Sequence, residues 1–150
     1  MWYYNGEQFK LENYPNDSLV GFVYEITEKD TGKKYIGKKL FWSTRKKKVK
    51  GRTRRVVSES DWKDYYGSNK KIQELGEQKG FKAFDREILR LCKSKGECSY
   101  WEAKLQFDNN VLLSDEYYNG IINCKINSRH LSKESILWHT EKDKKKSLKS

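Results

Sequence analysis

Three residues in this chain are of types, and at positions, that could do hydrolytic chemistry: Tyr24, Tyr35 and Glu102. The tyrosines sit in two dense β-type segments, Phe22-Val23-Tyr24 and Tyr35-Ile36-Gly37, and Glu102 sits in a helical stretch with Cys98 at i−4 and Gln106 at i+4. That spacing puts its carboxylate at the border between an apolar stripe and a cleft. A lone carboxylate there suits Mg2+ or Mn2+, hard ions that take one or two carboxylates and keep several waters. An ordinary solvated helix glutamate has the same spacing. Tyrosines on strands are by default packing residues. Lys38 and Lys39 follow the second segment and, on an extended strand, point to opposite faces, so one of them can face a cleft. Asn119 precedes Gly120, a dipeptide that commonly makes a turn.

The elements that must hold these groups are partly legible. Leu19 to Thr27 is rich in β-branched and aromatic residues, and Lys29-Asp30-Thr31-Gly32 turns it into Lys34-Tyr35-Ile36-Gly37, a β-hairpin with one tyrosine on each arm. Ser58 to Ser68 reads as a connector with an aromatic knot of Trp62, Tyr65 and Tyr66, after which Gly67-Ser68 caps a brief helix carrying Ile72 and Leu75. Phe81 to Cys92 reads as a third strand whose alternation is broken by the charged run Asp85 to Glu87. Ser94-Lys95-Gly96-Glu97 has the form of a capping box, and Cys98, Trp101 and Leu105 follow as one helical stripe. Leu112 to Ile126 reads as loop. The expected fold class is α+β: a small three-stranded antiparallel sheet flanked by helices, with a basic β-ribbon inserted after strand two. The expected division is an N-terminal extension over 1–18, a domain over 19–126 with the basic insertion at 38–57, and a basic C-terminal extension over 127–150.

Charge narrows the partner. The chain has 150 residues, 32 Lys and Arg against 21 Asp and Glu, and a net charge of +11, with a mean hydropathy of −1.03. That is polar enough to suggest disorder, but 14% aromatic residues supply a core. Lys38 to Val57 holds ten basic residues and no acid. Leu40, Phe41, Trp42, Val49, Val56 and Val57 interrupt the charges as a ribbon would, with Lys50-Gly51 at its turn. Lys39, Lys46, Lys47, Lys48, Lys50, Arg52, Arg54 and Arg55 are the candidate DNA contacts. The five lysines among the last ten residues read as a frayed end. No apolar run approaches the roughly 18 residues of a membrane span, and the opening residues lack a signal-peptide pattern. Cys92, Cys98 and Cys124 form no metal-type pair, which with the rest fits a reducing cytoplasm. His130 and His139 lie in a stretch of poor periodicity and read as structural or surface residues.

The two tyrosine motifs on one hairpin resemble those that name the GIY-YIG nuclease family. Tyr66-Gly67-Ser68, the strand from Phe84 to Leu89, Glu102 and Asn119 follow in the family's order, so the resemblance spans Val20 to Ile122. Gly37-Lys38-Lys39 and Tyr65-Tyr66-Gly67-Ser68 look like the small phage-encoded, Seg-like homing endonuclease group. The chain departs from the pattern in two places. Phe22 stands where the first motif has glycine, and the family's arginine, often followed by histidine, falls in the basic stretch. Arg45 is the candidate for that arginine, with Arg52 and Arg55 as alternatives.

The resemblance implies a metal-dependent endonuclease acting on duplex DNA. It makes Tyr24 a participant in deprotonating the attacking water, Tyr35 a positioner of that water or the phosphate, Glu102 the metal ligand and Asn119 a polar wall of the cleft. A tyrosine needs nearby positive charge to act as a base at neutral pH, and Lys38, Lys39 and Arg45 could supply it. One site cuts one strand at a time, so a double-strand break implies a homodimer on DNA or sequential nicks. The competing expectation is a catalytically silent nucleic-acid-binding module on the same fold.

Overall fold

In a computed structural model, residues 1–15 and 18–131 are described. The elements are β1 (Tyr3–Tyr4), β2 (Glu7–Gln8), β3 (Gly21–Glu28), β4 (Lys34–Leu40), β5 (Trp42–Val49), β6 (Arg52–Glu59), α1 (Lys70–Lys79), β7 (Phe84–Cys92) and α2 (Lys95–Asp108). Strand β3 is the most apolar segment and takes the middle of the structure, buried at six of its eight positions. It pairs antiparallel with β4 on one side and β7 on the other. Phe22, Tyr24 and Ile26 point into one cluster with Trp2, Phe41 and Trp62, and Val23 points into another with Ile36, Cys98 and Trp101 of α2. Burial on both faces is what an unbroken Phe-Val-Tyr-Glu-Ile run provides.

The main sheet has five strands, ordered β2-β1-β7-β3-β4, not the expected three. The residues before Leu19 supply the additional two: β1 runs parallel to the outer edge of β7 and β2 turns back along β1. Strands of two residues carry no alternation to read. What anchors them is aromatic, since Trp2 and Phe9 are buried and the Trp2 indole donates to the carbonyl of Trp62 at 2.7 Å.

Strand β7 corrects a second expectation. Its alternation holds from Phe84 to Ile88, because Arg86 takes an inward position between those two while Asp85 and Glu87 face out. The Arg86 guanidinium donates to the carbonyls of Lys63 and Tyr65, both at 2.9 Å. It lies 4.7 Å from the Trp2 ring centroid and 4.1 Å from that of Tyr66. A cation satisfied this way behaves as a core residue.

Both helices are capped by side chains. Asn69, one residue past the expected Ser68, accepts from the amides of Lys71 and Ile72 at the start of α1. Ser94 accepts from the Glu97 amide at 3.1 Å to start α2, as the capping-box pattern predicts.

Strands β5 and β6 form a separate two-stranded ribbon, in unbroken register from Trp42 opposite Glu59 to Val49 opposite Arg52. Lys50 and Gly51 turn it with φ of 51° and 77°, the left-handed pair that matches strand twist in a two-residue hairpin. The ribbon begins at Trp42, so Lys38 and Lys39 belong to β4. His139 and the lysine-rich final ten residues lie outside the described residues.

Candidate active site

The site is built along the outer edge of β4. An edge strand leaves every second amide without a ladder partner, and two of them here meet partners of different kinds. Lys34 pairs with the backbone of the loop after α2, its amide donating to Glu116 and its carbonyl accepting from Tyr118, both at 2.8 Å. Two residues on, the Asn119 side chain takes the place of a strand: its Oδ1 accepts from the Ile36 amide at 3.0 Å and its Nδ2 donates to the Ile36 carbonyl at 2.8 Å. Two residues further, it is the Lys38 side chain that meets Glu102, its Nζ 3.9 Å from Glu102 Oε1. Glu102 thus comes beside β4 from α2.

On the other face of β4, Tyr24 lies across Gly37, its register partner. A Cβ on Gly37 would stand 2.5 Å from Tyr24 Oη and 2.9 Å from Tyr35 Cε1, so only glycine admits both rings. Gly67, with a φ of 83°, brings its backbone over the same hydroxyl; a Cβ there would be 3.2 Å from Tyr24 Oη. The β3–β7 pairing shifts register between Val23 and Tyr24, where Leu89 is the extra residue on β7.

Tyr24 is 1% exposed. Burial, and then the neighbouring Tyr65 and Tyr35, push its hydroxyl far above the ordinary tyrosine range. It is a neutral phenol at neutral pH. Tyr35 is also pushed up by burial, with nearby Ser68 pulling the other way, and it feels the charge of Glu102. Burial raises the Glu102 carboxyl as well, while the Lys38 ammonium and amide work the other way. Lys38 Nζ is 3.9 Å from Glu102 Oε1 and 2.7 Å from Ser99 Oγ. Lys39 points to the opposite face, as strand alternation requires, where its Nζ meets Asp61 Oδ1 at 2.7 Å and lies 4.1 Å from the Tyr65 ring centroid.

Tyr35, Asn69, Glu102, Gln106 and Asn123 line an open cleft of about 320 Å³. Its donors are a carboxylate, a phenol and side-chain amides, all offering oxygen. Among the described residues no three His, Cys, Asp or Glu side chains cluster as a metal cage. One hard, water-rich ion held by Glu102 fits that donor set. Gln106 adds to it: its Nε2 donates to the Ile36 carbonyl at 2.9 Å, and its Oε1, buried at the cleft, has no hydrogen-bond partner in the structure.

The structure brings Tyr24, Tyr35, Glu102 and Lys38 together, with Asn119 beside them as a clamp whose amide is spent on Ile36. Arg45 stands apart, exposed on the ribbon opposite Val56, and Arg52 and Arg55 lie on the ribbon's second strand. Lys46, Lys47, Lys48, Lys50 and Arg54 are exposed there too. The sequence reading did not assign Tyr65, Ser68 or Gln106 to the site. Tyr65 and Ser68 were visible in Tyr65-Tyr66-Gly67-Ser68, and Gln106 in its i+4 spacing from Glu102.

A family model described as "Putative endonuclease segE, GIY-YIG domain" matches residues 2–122. The match begins at Trp2, in line with the burial of that residue just before β1. No curated protein and no solved structure gives a significant match. Among the described residues no helix is long and apolar enough to cross a membrane.

Proposed function

The chain belongs to the SegE-type GIY-YIG endonuclease domain family, and from that premise we propose that it hydrolyses phosphodiester bonds of duplex DNA with Mg2+ or Mn2+ held at Glu102. The observation that carries this reading is the cleft that Tyr35 and Glu102 line together, with Tyr24 packed behind Tyr35 across Gly37. The ion, when bound, draws charge from the scissile phosphate and the departing oxygen. Glu102 would hold it with its carboxylate, beside the Lys38 ammonium 3.9 Å away. Tyr35, on the same cleft, orients water or phosphate through its hydroxyl. Tyr24 is a neutral phenol packed edge-on against Tyr65 and beside Tyr35, so its part is to position neighbouring groups through its hydroxyl rather than to abstract a proton as phenolate. Lys38 supplies positive charge near the phosphoryl oxygens, the role the family gives to an arginine.

The basic ribbon is proposed to hold the duplex, and a second copy or a second nick completes a double-strand break. A homing or restriction-like role in a cytoplasm, that of the host for a phage-encoded protein, belongs to the same reading. The displacement of Arg45 onto the ribbon favours one rival, a silent DNA-binding module. Incubation with supercoiled plasmid separates the two. Nicks or breaks that require Mg2+ or Mn2+ and stop with EDTA are expected of the nuclease; tight duplex binding with intact plasmid under every metal would establish the silent module.

A further inference from the structure

The ribbon has two faces, and its register sorts their chemistry. Opposed residues in an antiparallel pair share a face, and faces alternate along each strand. One face carries Arg45 opposite Val56, Lys47 opposite Arg54 and Val49 opposite Arg52; the other carries Thr44 opposite Val57, Lys46 opposite Arg55 and Lys48 opposite Thr53, with Val57 exposed toward the root. Three of the ribbon's four arginines therefore share the first face, and with them two exposed valines, Val49 at 38% and Val56 at 42%.

We propose that this arginine and valine face enters the major groove and reads base edges, while Lys46, Lys48 and Arg55 on the opposite face grip phosphates. The inference rests on the DNA reading above and adds which residues choose the sequence. Three observations support it. A two-stranded ribbon fits the major groove, and its eight pairs extend about 25 Å. Guanidinium forks match the paired acceptors of guanine and isopropyl groups match the thymine methyl, whereas lysine ammonium groups are point charges that suit phosphate. Finally, the lysine face is tied down at its root: the Trp42 indole donates to the Leu19 carbonyl at 3.1 Å and Glu59 accepts from the Trp62 indole at 2.8 Å. The arginine face carries only the short hydroxyls of Ser43 and Ser58 at its root, which bond to each other. It is free to meet a groove along its whole length.

The test uses the full chain carrying Glu102→Ala, so that bound DNA stays intact, and selects binders from a randomised duplex pool. The parent is expected to enrich a motif containing guanine, with a wrong base at a read position costing about tenfold to a hundredfold in affinity. Adding Arg45→Lys, Arg52→Lys and Arg54→Lys keeps the charge. It is expected to erase the motif while affinity for unselected duplex stays within about twofold and the salt slope is unchanged. Adding Lys46→Ala and Lys48→Ala instead is expected to keep the motif, weaken every duplex alike and shrink the slope of log affinity against log salt by about 2. A motif that survives the three lysine replacements, or a parent that binds duplex tightly with no motif at all, overturns the assignment of faces and leaves the nuclease reading standing. A parent that binds no duplex overturns the DNA role of the ribbon itself.

Discussion

The two β-hairpins that follow one another in this chain are separated by a single residue, Phe41, and could hardly be covered more differently. The β3–β4 hairpin is packed on both faces, by the aromatic cluster around Trp2 and Trp62 and by α2. The β5–β6 hairpin is exposed on both faces beyond its root. Phe41 joins them as a fixed point: it is fully buried, its amide donates to Val20, its carbonyl accepts from Ser60, and its ring meets Trp62 edge-on at 5.1 Å. The difference follows from composition. A run such as Phe-Val-Tyr-Glu-Ile can enter a core, and ten cations without an acid between Lys38 and Val57 cannot. The first hairpin therefore holds chemical groups rigidly, and the second offers a charged surface to something outside the molecule.

Stability should divide along the same line. Trp2→Ala removes a buried indole in edge contact with Phe22 and Tyr24 and should cost about 3–5 kcal/mol in denaturant unfolding. Val57→Ala, in the ribbon and 64% exposed, should change it by less than about 0.5 kcal/mol. Equal costs would mean that the ribbon is part of the cooperative core.

Activity should divide as well. Gly37→Ala forces a methyl against Tyr24 Oη and the Tyr35 ring, a displacement near 1 Å that should lower cleavage about 100-fold. Duplex affinity should be unaffected, and cleavage at the parent rate would show that the two rings need not share that space.

These three substitutions also mark what could be read from the sequence. The β3–β4 hairpin, the capping box of α2 and the ribbon turn at Lys50-Gly51 were legible because local pattern and local structure agree there. Strands β1 and β2 were not, since two-residue strands have no period and Trp2 is placed by contacts with Phe22 and Tyr24, some twenty residues away. Arg86 broke the apparent alternation of β7 because a guanidinium satisfied by two carbonyls and two rings counts as polar until its partners are seen. Glu102 could be nominated from helix spacing, but its place came from the β4 edge. Asn119, expected as a turn former or a wall of the cleft, proved to pair with Ile36 at a separation of 83 residues, which no local pattern encodes.

A smaller effect probes the charge inside the site. Burial raises the Glu102 carboxyl and Lys38 lowers it. The ionised carboxylate is the form that binds a cation, so a raised value keeps the proton on to higher pH, and activity should fall on acidification before an ordinary carboxylate would protonate. Lys38→Met removes the opposing cation and should move that acid limb higher still. A limb that stays in place, read from the pH dependence of kcat/KM, would show that another group sets it.

The separation of chemistry from grip is tested most directly by measuring cleavage and duplex binding side by side in two variants. Glu102→Ala should abolish metal-dependent cleavage and leave affinity and its salt dependence intact. Lys46→Ala, Lys47→Ala and Lys48→Ala together should weaken binding and flatten its salt dependence, while cleavage at saturating DNA persists. Normal cleavage by the Glu102 variant, or loss of both properties in either protein while it remains folded, would contradict the account.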